Sequence, residues 1–321
     1  MFTSKDLEFR TIFVINCVDE NRNLRVHNGE LLLEESSKEK TKTLTKMPFQ
    51  KILALFIIGH ITITTPLIEK CKKFNVALVV MKTTLRPIFY WANAAEANYL
   101  IRKKQHNHDN HTIAIQLVEN KIKNSIALLK KTRKKDSVTL SAIEECEFCL
   151  EHLPHLNTLQ RIMGCEGYAA KHFFSAYFQE HNWCGRMPRT KCDIINTTLD
   201  IGYTILFNFV ECFIRMFGFD PYVGVLHQLW FKRKSLVCDL MEPFRCIIDH
   251  AVLLAFNRGQ IKESDFKCIK GEYRLKIERN SEITRLFYTE LITRKYEIFS
   301  YVQNYYRQFM SEKYKIKPFN F

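Results

Sequence analysis

The chain has 321 residues, of which 46% are apolar and 13% aromatic, enough to bury sizeable cores and to exclude a disordered or fibrous protein; the length suggests about two domains. Lys and Arg number 48 against 34 Asp and Glu, giving a net charge of +14 and a pI near 9.2, which favours a polyanionic partner such as nucleic acid. The longest uninterrupted apolar run, Ile52 to Ile58, falls well short of the roughly 20 residues that a membrane span needs, and MFTSKDLEF has no signal-peptide pattern, so an intracellular protein is expected.

In chain order, TIFVINCV, LRVHNGELLLEE, ILALFIIG, ITITT and VALVVMK are short β-branched runs punctuated by Asn28-Gly29 and Met47-Pro48, with one short helix expected over PLIEKCKKF. Residues 1–92 therefore read as a small β-rich domain. After Trp91 the period changes to that of helices. Ile113, Leu117, Ile122, Ile126 and Leu129 trace one helix, Leu140, Ile143, Leu150 and Leu153 another, and LDIGYTILFNFVECFIRMFGF a third ending near Gly218. Residues 93–321 are expected to form a larger all-α domain, making the whole chain α+β.

Charge also separates along the chain. Residues 101–135 hold ten Lys or Arg against two acids, whereas 136–151 hold five acids and no base. The run KKTRKKD reads equally as a solvated helix end or as a phosphate-contacting surface. Eleven cysteines without secretory features suit reduced thiols; Cys146 and Cys149, the one CxxC, lack a second ligand pair and read as packing residues. His106, His108 and His111 sit in a polar, charged stretch and read as a solvated link.

The segment GCEGYAAKHFFSAYF raises the sharpest question. At helical period Leu159, Met163, Ala170, Phe173 and Tyr177 share one face, and Glu166 falls on it too. A lone carboxylate on an apolar stripe needs a cation, a proton or a metal. Gly164 and Gly167 beside it suggest close approach of something bulky, since glycine within a helix costs about 0.5–1 kcal/mol against alanine. A second acidic pair, Asp239 and Glu242, lies in SLVCDLMEPFR, where Pro243 suggests a helix start close by; between the two stretches sits GVLHQLWFKRKS with His227. Two carboxylates and an imidazole suit Mg²⁺ or Mn²⁺. Taken singly, Glu166 pairs as well with an arginine, His227 reads as a core histidine, and DLMEPFR as an ordinary capped helix start.

As a set, these segments resemble the CRISPR-associated spacer integrases, the catalytic subunits of the CRISPR adaptation complex. GCEGYAAKHFFSAYF is similar to that family's first metal-ligand helix, RMPRTKCDIINTTLDIGYTIL to its Arg/Pro/Asp/Asn stretch, DPYVGVLH to its histidine motif, and SLVCDLMEPFR with FNRGQI to its last acidic motif. IIGHITITTPLIEKCKKFNVALVVM is similar to its N-terminal domain, so the likeness covers most of the chain. The resemblance implies that Glu166, His227 and Glu242 ligate Mg²⁺ or Mn²⁺, with Asp239 a supporting acid; some relatives carry Asp at the position of Glu242, which leaves open which of Asp239 and Glu242 touches the ion. It implies a DNA endonuclease and integrase, in which the 3′-hydroxyl of a protospacer fragment attacks a phosphodiester at the edge of a CRISPR repeat. Homodimers bridged by a small ferredoxin-like second adaptation protein into a hetero-hexamer, in a prokaryotic cytoplasm and away from any membrane, are implied as well. Arg186, Arg189, Lys191 and Arg245 are expected to contact DNA or orient the carboxylates. A related metal-dependent nuclease or transposon integrase, usually carrying a further DNA-binding module, and a catalytically silent nucleic-acid-binding scaffold are the alternatives. The C-terminal NYYRQFMSEKYKIKPFNF reads as a docking tail or a fraying end.

Overall fold

A computed structural model describes residues 3–18, 22–36, 40–92, 98–107, 111–133, 135–181, 183, 185–311 and 313–321. The N-terminal part contains α1 (Ser4–Phe9), β1 (Thr11–Cys17), β2 (Arg22–His27), β3 (Glu30–Ser36), β4 (Thr41–Pro48), β5 (Ile52–Gly59), α2 (Thr65–Phe74), β6 (Ala77–Met81) and β7 (Pro87–Trp91). The helical part follows with α3 (Tyr99–Asn107), α4 (His111–Lys131), α5 (Ser137–His152), α6 (Leu159–Tyr177), α7 (Ile194–Met216), α8 (Ser235–Met241) and α9 (Arg245–Asn257), then the hairpin β8 (Phe266–Ile269) and β9 (Glu272–Leu275), and finally α10 (Ile277–Thr293) and α11 (Lys295–Met310).

Two sheets form from the first part. One has the order β1-β5-β6-β7, with β1, β5 and β6 parallel and β7 antiparallel; the other is β2-β3-β4, antiparallel throughout. Asn28 and Gly29 make the tight β2–β3 turn, both with positive φ (49° and 80°), the pairing that a two-residue hairpin demands. Every residue of β5 is buried because the strand is central and covered on both faces, which explains its unbroken apolar run. One face, through Leu53, Phe56 and Ile58, shares a core with the helices; the other, through Leu55 and Ile57, packs with Leu24, Leu31 and α2. Phe56 meets Phe209 of α7 and Tyr288 of α10 ring to ring, so the first sheet is joined to the helical part through aromatic packing. The run ITITT forms no strand: residues 60–64 have no regular structure, and Ile61 and Ile63 cover the second core from the loop that leads into α2.

The second part is helical as expected, apart from the β8–β9 hairpin, which the helical reading missed. In α5 the buried face is Thr139, Ala142, Ile143, Cys146 and Cys149, while Leu140 stays exposed. Cys146 and Cys149 pack against α6, their Sγ atoms near the carbonyls of Ala169 and Cys165. Burial pushes the Cys146 thiol up to about 12, a neutral packing group, and every described cysteine is a free thiol. Of the histidine cluster, His106 ends α3 exposed and His111 opens α4; His108 lies outside the described residues. The basic run after α4 is largely engaged: Lys135 caps the Leu129 carbonyl at 2.9 Å, Lys130 pairs with Glu147, and Lys131 donates to the Phe321 carbonyl. Lys134 lies outside the described residues.

The C-terminal residues dock rather than fray. Asn120 and Phe319 exchange two hydrogen bonds (2.7 and 2.9 Å), Phe321 N–H donates to Asn124, and the Phe319 ring packs on Phe244. The helix α7 is long and apolar enough to cross a membrane by length and composition, yet 78% of its most apolar 18-residue window is buried inside the protein.

Candidate active site

What Glu166 faces is a lysine. Helix α6 buries Ile162, Ala169, Phe173 and Ala176, and Glu166 lies on the same i, i+4, i+7 stripe, partly buried. That stripe is centred one residue away from the Leu159/Met163/Ala170 face expected from the sequence. Across from it, α4 carries Ile113 and Leu117 and then, one turn on, Lys121. The Lys121 ammonium pairs with Glu166 and, at 2.6 Å, with Glu242, while Arg245 Nε lies 2.8 Å from the same Glu242 oxygen. Burial alone would raise the Glu242 carboxyl, but Arg245 and Lys121 outweigh it and hold it down at about 2. Burial in turn would lower Lys121, and Glu166 and Glu242 together raise it above its ordinary 10.5. These groups line a cavity of about 280 Å³, as do His227, Tyr203 and Asp249. Among the described residues, nothing beyond the helix's own backbone comes within 4 Å of where a Cβ would sit on Gly164 or Gly167, and Gly167 opens onto the cavity.

Pro243 lies two residues before a helix start, as expected, but a helix also ends just upstream of it. Helix α8 begins upstream at Ser235, a 3-10 turn covers Glu242–Phe244, and α9 begins at Arg245. Glu242 keeps helical angles although it precedes proline, held there by the buried Leu240, Met241 and Phe244. That turn sends the two acids apart: Glu242 enters the cavity, while the fully buried Asp239 points into the DPYVGVLH loop. Asp239 accepts the N–H groups of Val225, Leu226 and His227 (2.6, 3.0 and 3.1 Å) and lies 2.5 Å from His227 Nδ1. A carboxylate accepts, so Nδ1 donates to Asp239, and in the neutral ring Nε2 is the nitrogen left with a lone pair. A Cβ on Gly224 would stand 2.6 Å from Asp239 Oδ2 and 2.9 Å from the His227 carbonyl; only glycine lets the loop close on the acid.

The stretch RMPRTKCDIIN is a bracket. Asp193 caps α7 by accepting the Asn196 N–H at 2.6 Å, and the fully buried Asn196 accepts from Arg186 and from the Met187 N–H, both at 2.8 Å. Arg186 also pairs with Asp200, so its guanidinium is largely engaged and serves to hold the loop over the cavity. Arg189 is exposed, its N–H donating to Asp200, and Lys191 is partly exposed. Arg245 lies against the Tyr203 ring at 4.6 Å, and Arg186 lies 5.3 Å from the same ring. The Tyr203 hydroxyl donates to Asp249, whose carboxyl burial pushes up to about 7 despite that bond and the nearby Arg245. Lys234, from the basic turn, is drawn down to the buried Glu211 at 2.7 Å.

Glu166, His227 and Glu242 thus line one cavity, with Asp239 behind the histidine. Among the described residues no three His, Cys, Asp or Glu side chains stand close enough to share one ion as they lie; the two glutamates share the Lys121 ammonium instead. The donor chemistry of two carboxylates and an imidazole suits Mg²⁺ or Mn²⁺, and their ligation of an ion requires Lys121 to give way. Lys121, Tyr203 and Asp249 were not singled out in the sequence. Lys121 had a signal: it follows Leu117 by four residues and Ile113 by eight, a lone base on an apolar stripe.

Comparison with known proteins identifies the family. Residues 17–289 match the family described as CRISPR associated protein Cas1. The CRISPR-associated endonuclease Cas1 1 of Archaeoglobus fulgidus is 30% identical, with 84% of this chain and 85% of that protein covered; its counterpart in Thermus thermophilus is 26% identical, with 84% of each covered. Among solved structures, a casposase bound to integration product superposes with a TM-score of 0.75 at 22% identity over 96% of this chain and 92% of that one. A Cas1 protein from Thermotoga maritima gives 0.74 at 18% identity over 96% and 99%, and one chain of a Cas6-RT-Cas1–Cas2 complex gives 0.75 at 20% identity over 96% and 36%. With the family pattern spanning most of its length, the chain belongs to the Cas1 family of CRISPR-associated proteins.

Proposed function

We propose that the chain is a CRISPR adaptation integrase, a DNA endonuclease and strand-transfer enzyme that inserts protospacer DNA into a repeat array. The observation that carries this reading is the convergence of Glu166 and Glu242, from segments far apart in the chain, on a single cation in one cavity that His227 also lines. Glu166, His227 through Nε2, and Glu242 would hold Mg²⁺ or Mn²⁺, with Asp239 fixing the imidazole. A divalent ion there supplies Lewis acidity toward the attacking hydroxyl and the reacting phosphate. In the reaction the 3′-oxygen of the fragment forms a bond to phosphorus and loses its proton, the bond from phosphorus to the repeat-strand 3′-oxygen breaks, and that oxygen takes up a proton. One phosphodiester replaces another, so no nucleotide is consumed.

The remaining residues divide by their partners. Arg189 and Lys191, exposed and partly exposed, contact phosphates, whereas Arg186 and Arg245 hold the loop and Glu242 in place. The +14 charge supports double-stranded DNA, both fragment and repeat, as the substrate. By likeness to the Cas6-RT-Cas1–Cas2 complex, the working assembly is a homodimer joined by the small second adaptation protein into a hetero-hexamer, in a prokaryotic cytoplasm. The test is joining of a 3′-hydroxyl duplex into a repeat-bearing plasmid with added Mg²⁺ or Mn²⁺. Glu166→Ala is expected to abolish joining while duplex binding survives, with His227→Ala similar; joining by Glu166→Ala at the wild-type rate rejects the reading.

A further inference from the structure

The cavity is lined by the cations Lys121, Arg186 and Arg245, and the two arginines are committed elsewhere. Arg186 is taken by Asp200 and Asn196, and Arg245 lies against the Tyr203 ring while it holds Glu242. Lys121 differs. Among the described residues its ammonium bonds only to Glu166 and Glu242, the two acids that would hold the divalent ion, so ligation of that ion releases it. Its backbone cannot follow it out of the cavity, because α4 is clamped on both sides of Lys121. Asn120 exchanges hydrogen bonds with Phe319, and Asn124 donates to the Pro243 carbonyl at 3.0 Å and accepts the Phe321 N–H at 3.1 Å. The side chain is 14% exposed, so the released charge stays in a poorly solvated space, where it is costly without a counter-charge. Asp249, the remaining acid on the cavity wall, is already engaged by the Tyr203 hydroxyl.

We infer that Lys121 is a catalytic residue of the reaction proposed above: it neutralises Glu166 and Glu242 until they turn to the divalent ion, and then pairs with the phosphate under attack. The inference rests on that function. A phosphodiester brings one negative charge, and a second develops once the attacking hydroxyl has lost its proton and its oxygen bonds to phosphorus. An ammonium on a flexible four-carbon stem can follow the phosphate oxygens as the group inverts, whereas an arginine fork would fix two of them. Lys121 stays protonated throughout, and the bonds formed and broken are those already given.

The test compares the full chain with Lys121→Met, Lys121→Gln and Lys121→Arg in two measurements. Mn²⁺ binding without DNA, read from the electron paramagnetic resonance signal of the free ion, is expected to tighten roughly tenfold or more in Lys121→Met, whose acids have no ammonium to give up. Joining of the 3′-hydroxyl duplex at saturating Mn²⁺ is expected to fall about 100-fold in kcat with little change in KM, and Lys121→Arg to exceed both neutral variants. Lys121→Gln keeps a hydrogen-bond donor to the glutamates and supplies the same two readings where the methionine variant does not fold. Tighter Mn²⁺ binding with joining at the wild-type rate leaves Lys121 a counter-ion alone and overturns the inference, as does Mn²⁺ binding no tighter than in wild type. A wild-type chain that binds Mn²⁺ but joins nothing removes the function reading and this inference with it; failure of the inference alone shows as equal joining by wild type and Lys121→Gln.

Discussion

Lys121→Met removes the ammonium that Glu166 and Glu242 share and keeps a side chain of similar length. The lysine is 14% exposed, Glu242 5% and Glu166 23%, so the charges left behind are poorly solvated. Removing one partner of a buried ion pair costs about 3–5 kcal/mol. The titration of Glu242 leads to a similar size. Its pKa is held at about 2 against an ordinary 4.5, and at about 1.36 kcal/mol per pH unit the gap is worth about 3 kcal/mol, part of it from Lys121 and part from Arg245. Because the folded value is depressed, that stability is fully present above about pH 4.5 and is lost as pH falls through about 2. Thermal unfolding in EDTA is therefore expected to show a deficit of about 3 kcal/mol at pH 7, a fall in Tm of roughly 6–12 °C, that shrinks toward pH 4 as the unpaired acids take up protons. Millimolar Mn²⁺ should restore more of the variant's stability than of the wild type's, since the carboxylates then regain a cation. A variant as stable as wild type in EDTA at pH 7, or one with the same deficit at pH 4 and pH 7, refutes the reasoning.

Asp249 has the opposite sign. Its carboxyl is pushed from 3.8 up to about 7, so its contribution is fully present below about pH 3.8 and lost as pH rises through about 7, on the order of 4 kcal/mol. Asp249→Asn should be more stable than wild type at pH 8 and gain much less at pH 4.5, by urea midpoints; an equal gain at both would contradict the burial argument. Asp239→Asn loses the charge that gathers three N–H groups and Nδ1, and its amide would set a donor against one of them. Joining should fall at least 100-fold, on the order of the 3 kcal/mol carried by charge-assisted hydrogen bonds, with duplex binding kept. The His227 ring resonances should shift as well; an unchanged imidazole spectrum would remove Asp239 from its positioning role.

Much of the fold was legible because local rules and packing agree. Asn28-Gly29 announced its hairpin, and the unbroken apolar run of β5 announced a strand covered on both sides. ITITT failed because alternation without a neighbouring strand to pair with gives only an apolar loop. The parallel pairing of β1 with β5 could not be read, since the second sheet is inserted between them in the chain. At the site, Glu166 was conspicuous as an acid on an apolar face and Lys121 as a base on another, but 45 residues separate them and only the packing of α4 on α6 makes them partners. Asp239 and Glu242 looked like a pair at helical spacing; the 3-10 turn at Pro243 separates their tasks, which is a matter of tertiary packing around Met241 and Phe244.

The docked segment beyond α11 has a bearing on biosynthesis. Asn124 joins the Pro243 carbonyl and the Phe321 N–H, and Phe319 closes over Phe244, so the floor beneath Glu242 includes residues that leave the ribosome after every other part of the pocket. Chains fold from the N-terminal end as they emerge. A nascent chain can therefore assemble both sheets and most helices before Phe319 and Phe321 emerge to close the floor of the pocket.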